Sequence, residues 1–250
     1  MFENGEDILA RFADSGLTGA LEFFAWSAGE FLLLYATFAS LGWLLTRHIL
    51  PFFRIGAVVD PRPLKDGQIR CEIRRSLVSI LIFGAYGVLT LEVWRTGWIH
   101  VDFRASWWKI GTDLALFFVW NEVHFYIVHR ILHTRWLYRH VHRVHHESVV
   151  PTPFSIYSFH WFEAVLLGSV MILALVAFRP SVQALLGLPL TSLFFNTVGH
   201  CNYNIFANHR SIHSAAVQHS DHHLRVAGNY GFYLPVLDRV FHSALWKTAR

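Results

Sequence analysis

Charge is scarce in this 250-residue chain. Asp, Glu, Lys and Arg make up 15% of it, where a soluble domain of this length carries about 25%. Hydrophobic residues reach 54%, aromatic residues 16%, and mean hydropathy is +0.36. That excess of apolar side chains has to face lipid rather than water. Cysteine is scarcer still. Cys71 and Cys201 are the only two; they form no C-x-x-C, which argues against an iron–sulfur or thiolate zinc site, and nothing requires a disulfide. The formal charge of +4 comes without a basic stripe interleaved with exposed aromatics. It reads as basic loops on one side of a membrane, with no nucleic-acid partner. Internal repeats, low-complexity tracts and long linkers are missing too, so one domain over residues 1–250 is expected. The opening MFENGEDILARFADSG lacks a basic n-region and a small-residue cleavage site. The first apolar run is therefore expected to serve as an uncleaved anchor.

Five apolar runs stand out, at 21–45, 76–94, 111–128, 162–178 and 182–198. The last two are also readable as a re-entrant hairpin. The expected fold class is all-α: an integral membrane helical bundle of four to five spans with a cytoplasmic histidine-rich helical cap. Glu30 interrupts the first run and should face other helices, because a carboxylate is costly in lipid. Lys and Arg concentrate in 46–75, 129–160 and the tail. The positive-inside bias puts those segments in the cytoplasm, in a membrane of bacterial inner-membrane type.

Histidine is what the chain has in abundance: 17 residues. The stretch HRILHTRWLYRHVHRVHH carries His129 and His133 as H-x3-H, then His142, His145 and His146 as H-x2-H-H. A second H-x2-H-H follows at His219, His222 and His223. On a helix, positions three and four apart share a face. Neutral imidazole is a common ligand for transition metals. Eight such groups exceed the needs of one tetrahedral zinc, so two ions are expected. The two histidine regions return to the same side of the membrane in any of the span counts considered.

These groups, with Glu122 to Phe241 around them, resemble the fatty acid hydroxylase/sterol desaturase superfamily of integral-membrane di-iron enzymes. NYGFYLPVLDRVF at 229–241 is similar to that family's closing NYG…WDR-F element, with Leu237 in the usual Trp place. The segment from His160 to Glu163 resembles its HPxE element, with Trp161 replacing Pro. The resemblance implies two iron ions, O2 as co-substrate, and hydroxylation or desaturation of an unactivated C–H bond of a lipid drawn from the bilayer. The chain has no haem, flavin or iron–sulfur motif. Two electrons per turnover are then expected from an external donor: a ferredoxin, a cytochrome b5-like protein or a reductase.

Asn196 and His200 form N-x3-H and resemble an element of related membrane desaturases. That adds His200 as a ninth ligand and Asn196 as a weaker one. His209 and His213 are the rival pair. Asp221 and Glu163 are the leading carboxylates for holding the outer nitrogens of ligand imidazoles, with Glu122 and Glu147 behind them. Asp238 and Arg239 are expected to form a structural ion pair. Two other readings remain at this point: a histidine-rich membrane metal transporter and a membrane zinc hydrolase.

Overall fold

The computed structural model describes residues 5–206 and 214–245. After a short α1 (Gly5–Asp14), the long α2 (Gly16–Leu44) runs through a π-helical turn at Leu45–Ile49 into α3 (Leu50–Phe52). A two-residue strand, β1 (Ala57–Val58), precedes α4 (Gln68–Arg95) and α5 (Trp107–Leu132). Then come α6 (Arg135–His140) and 3-10 turns at His142–Glu147 and Pro153–Ser155. The chain finishes with α7 (Trp161–Ala177), α8 (Val182–His200), β2 (Tyr203–Asn204), α9 (Ala215–Arg225) and α10 (Val236–Val240).

Three helical stretches are long and apolar enough to cross a membrane: Gly16–Phe52, Gln68–Arg95 and Val182–His200. α7 is apolar but has only 17 residues. α5 is 26 residues long, and its second half turns polar with Asn121, Glu122, His124 and His129. Both pack inside the bundle, α7 against α4 and α5 against α8 and α7. The strands are antiparallel, with Ala57 opposite Asn204 and Val58 opposite Tyr203. They add a small β element to the expected all-α architecture.

Helix starts are set by local chemistry. Ser106 and Ser181 accept backbone N–H bonds at the first turns of α5 and α8, and the His160 ring does so for α7. These bonds satisfy donors that have no partner inside the helix. The interior is apolar, built around Tyr35, Ile80, Phe83, Ile156 and Leu193. The outer surface carries Leu33, Leu81, Val119 and Val176, with Trp98, Trp107 and Trp108 exposed around the start of α5. That pattern suits lipid with an aromatic belt at its boundary.

α2 and α4 approach closely because glycine faces small residues. A Cβ at Gly84 would lie 2.8 Å from the Ala28 Cβ and 3.2 Å from its backbone. At the other end of α4, Glu72 is buried and accepts hydrogen bonds from Gln68, Ser148 and Thr152. Arg75 donates to the Val144 carbonyl and pairs with Glu147 at 2.6 Å. α4 thus grips the segment that carries the first histidine triplet.

Replacing Gly84 with Leu is expected to separate α2 from α4 and cost about 1–3 kcal/mol. Gly29→Leu, whose added Cβ would meet nothing within 4 Å, should be close to neutral. Thermal unfolding of the two variants in detergent checks the contrast.

Candidate metal centre

Nine imidazoles converge where the ends of α5 and α8 meet α9 and the 142–147 turn. They form two groups, His129, His133, His142, His146 and His222 in one and His145, His200, His219 and His223 in the other. Within each group the ligand atoms lie within 4.8 Å of one another. All nine residues are buried except His133, which is half-buried.

Each H-x2-H-H triplet is divided between the groups. On α9, His219 and His223 are one helical turn apart and share a face, while His222 is turned toward the other group. In the 142–147 turn, His142 and His146 point one way, with Nε2 atoms 3.1 Å apart, and His145 points at His200.

The outer nitrogens fix the orientation. Nδ1 of His129 faces the Tyr230 carbonyl at 2.9 Å, that of His200 the Asn196 carbonyl at 2.9 Å, and that of His222 the Gly228 carbonyl at 2.6 Å. His145 faces the Ser158 carbonyl at 3.4 Å, and His142 the Glu163 carboxylate at 2.7 Å. A carbonyl only accepts, so Nδ1 of His129, His145, His200 and His222 carries the proton and Nε2 of each presents a lone pair. The Nε2 atoms of His145 and His200 lie 3.4 Å apart with no proton between them. His219 stands 2.9 Å from both His200 and His223, and His133 3.2 Å from His222, through the same atoms. Lone pairs facing one another at such distances call for a cation. With metal–nitrogen bonds of about 2.1 Å, neighbouring ligands around one ion stand roughly 3.0–3.4 Å apart. The donor set fits a bound pair of metal ions.

Protonation would compete with that role, and the surroundings oppose it. Burial, then the neighbouring imidazoles, hold His142, His145, His219 and His223 well below the ordinary histidine range. Burial takes His222 down to about 4 and His133 to about 3. All are neutral, ligand-competent imidazoles at pH 7.

The carboxylates named from the sequence have separate roles here. Glu163 contacts His142 directly. Glu122 accepts the backbone N–H groups of Tyr233 and Leu234, and so holds the closing loop that supplies the Tyr230 and Gly228 carbonyls. Glu147 pairs with Arg75. Asp221 is half-buried on α9. Asp238 accepts from the Tyr230 and Gly231 N–H groups and the Ser243 hydroxyl, so its described partners belong to the loop. The Asn196 side chain donates to the Ile156 carbonyl at 3.3 Å. His209 and His213 lie outside the described residues. Sequence reasoning missed the carbonyls of Ser158, Gly228 and Tyr230 and the Glu72 anchor. Backbone carbonyls leave no mark in residue type; the NYG element, which holds Tyr230, was the only signal for one of them.

A largely apolar cavity opens inside the bundle between α2, α4, α5, α7 and α8. Phe125, Phe159, Leu167 and Asn196 line both this cavity and a small void against His129, His142, His145 and His200.

The fatty acid hydroxylase family model matches residues 114–243, just over half of the chain and all nine histidines. The chain belongs to the fatty acid hydroxylase family. Lathosterol oxidase of Rattus norvegicus is 28% identical over 140 residues, 56% of this chain and 47% of the oxidase. A probable Delta(7)-sterol 5(6)-desaturase of Neurospora crassa is 27% identical over 214 residues, 84% of this chain and 59% of the desaturase. A very-long-chain aldehyde decarbonylase of Oryza sativa is 27% identical over 237 residues, 90% and 87% respectively. The chain spans about half the length of the oxidase and of a methylsterol monooxygenase that it also matches. No solved structure matches it.

Two outcomes are expected. Glu163→Ala, which frees His142 Nδ1, should weaken metal binding by about 10–100-fold, measured by competition with a chelating dye, and Glu163→Gln should weaken it less. The metal-free protein should lose stability as pH falls below about 6.5. The unfolded chain takes up protons there that the buried histidines refuse. The loss should continue toward pH 4 and pH 3, where His222 and His133 titrate; denaturant melts between pH 8 and pH 4 check it.

Proposed function

We propose that this fatty acid hydroxylase family member is a membrane-bound di-iron oxygenase that hydroxylates or desaturates a lipid. The observation that carries the reading is the pair of buried imidazole groups, separated from an apolar cavity by Phe125, Phe159, Leu167 and Asn196. His129, His133, His142, His146 and His222 would hold one iron, and His145, His200, His219 and His223 the other. Two irons there would supply O2 activation and cleavage of an unactivated C–H bond. Hydroxylation leaves one oxygen atom in the product and the other in water; desaturation removes two hydrogens and sends both oxygen atoms to water. Each outcome consumes two external electrons.

The protein's part is to bind, orient and exclude. Glu163 and the carbonyls of Ser158, Asn196, Gly228 and Tyr230 lock the ring orientations before any lipid arrives. Phe125, Phe159 and Leu167 stand between the cavity and the imidazoles; an alkyl segment rather than water would reach the centre past them. Asn196, held by Ile156, sits at that boundary. Asp221 is assigned to the same outer layer by its place between His219 and His222. The relatives named for oxidising sterols and for converting long-chain aldehydes support a lipid as substrate. A donor protein, a ferredoxin or cytochrome b5-like partner or a reductase, would supply the electrons. The segments rich in Lys and Arg lie beside the site, with Lys65 and Arg75 bonded to Glu147; by the positive-inside rule this supports placing the centre on the cytoplasmic side.

A transporter would spread ligands along the membrane depth, and a hydrolytic zinc needs three protein ligands and an open position. Nine imidazoles gathered at one level weigh against both.

The test is reconstitution of the full chain with ferrous iron, a chemical reductant, O2 and a total lipid extract, followed by mass spectrometry. One lipid class is expected to gain 16 mass units or lose 2, with His219→Ala reduced to background. No product from any class would refute the reading.

A further inference from the structure

The cavity is not uniformly apolar. In its lining, α2 contributes Ser27 and Glu30, α4 contributes Thr90, α5 contributes Asn121, and the loop before α7 contributes Tyr157. Ser27 is 4% exposed, Asn121 7% and Tyr157 6%. None of these three side chains makes a hydrogen bond among the described residues, and the Thr90 hydroxyl is buried without a partner. Leaving so many buried polar groups unpaired inside a membrane bundle is unfavourable. Neighbouring polar side chains are satisfied within the protein: His124 pairs with Ser169 at 3.0 Å, and the Tyr86 hydroxyl donates to the Val165 carbonyl at 2.7 Å. Together with Ser192 of α8, which also lines the cavity, the unpaired set makes up the polar belt of its wall.

Its distance from the imidazoles is set by the scaffold. Asn121 lies eight residues before His129 on α5, about 12 Å along the axis. Tyr157 reaches the ligands through one ring: Phe159 is 6.3 Å from Tyr157 and 5.1 Å from His145. The geometry points to a subsite for the hydroxyl group of a lipid alcohol, held at the belt while a carbon farther along its skeleton lies at the imidazoles. This rests on the oxygenase reading and narrows its substrate.

A hydroxyl both donates and accepts, so it can satisfy the Asn121 amide together with the Glu30 carboxyl or the Tyr157 and Thr90 hydroxyls. A hydrocarbon leaves all of them unpaired. A phosphate would find no Lys or Arg in the lining and would face Glu30. The spacing suits either a fused-ring alcohol or an alcohol on an acyl chain, two sources of the same chemistry.

The test is equilibrium binding of radiolabelled lipids to the metal-loaded full chain in nanodiscs. 1-Hexadecanol is compared with hexadecane and hexadecylamine, and cholesterol with 5α-cholestane. In at least one series the alcohol should bind about tenfold tighter than its hydrocarbon, and the series that shows it identifies the skeleton. Asn121→Leu and the conservative Tyr157→Phe should each shrink that preference to less than about threefold, with metal content unchanged. Equal binding of alcohol and hydrocarbon in both series, a preference intact in both variants, or hexadecylamine as the tightest ligand would overturn the assignment. Binding, not turnover, is read: an intact alcohol preference without oxidised product would sink the oxygenase reading and leave the subsite standing.

Discussion

Nine neutral imidazoles are packed into two adjoining groups, with the Nε2 lone pairs of His145 and His200 turned toward one another, an arrangement that a bound cation would relieve. Everything around the centre serves it. Five of the nine outer nitrogens have a partner in place: Tyr230 for His129, Glu163 for His142, Ser158 for His145, Asn196 for His200 and Gly228 for His222. Where a carbonyl holds the outer proton, the inner nitrogen has no other state than acceptor. Burial then keeps the rings unprotonated. Lone-pair repulsion is thereby built into the metal-free fold, and bound ions would relieve it.

The bundle supplies the rigidity this needs. α5 and α8 deliver His129 and His200 from helix ends, where side-chain direction is fixed by regular backbone. α9 carries His219, His222 and His223, while the first triplet sits on a short turn; buried carboxylates of the long helices hold that turn and the closing loop. Glu72 on α4 holds the segment following the first triplet, Glu163 on α7 holds His142, and Glu122 on α5 holds the closing loop. The same helices leave a cavity between them, so the scaffold that orients the ligands also shapes the route by which an alkyl chain would reach them.

The long helices and the three histidine groups were legible in the sequence because both rest on local pattern: apolar runs of spanning length and ligand spacing of three and four. The division of each triplet between two groups was not legible. It depends on the 3-10 turn at His142–Glu147 and on which carbonyl each Nδ1 meets, and both are set by tertiary packing. The helical spacing within each group does not make 129–146 one helix: α5 ends at Leu132 and α6 at His140. Nothing in the local sequence singles out Glu72. Its role appears only when Ser148 and Thr152, distant in the chain, are brought onto it. Asn196 was read for its spacing to His200, whereas the backbone carbonyl of Asn196, not its amide, orients that ring.

The most direct measurement is anomalous X-ray scattering at the iron edge from crystals of the iron-loaded protein. The account predicts two peaks, one among His129, His133, His142, His146 and His222 and one among His145, His200, His219 and His223. A single peak, or iron held away from both groups, would contradict it.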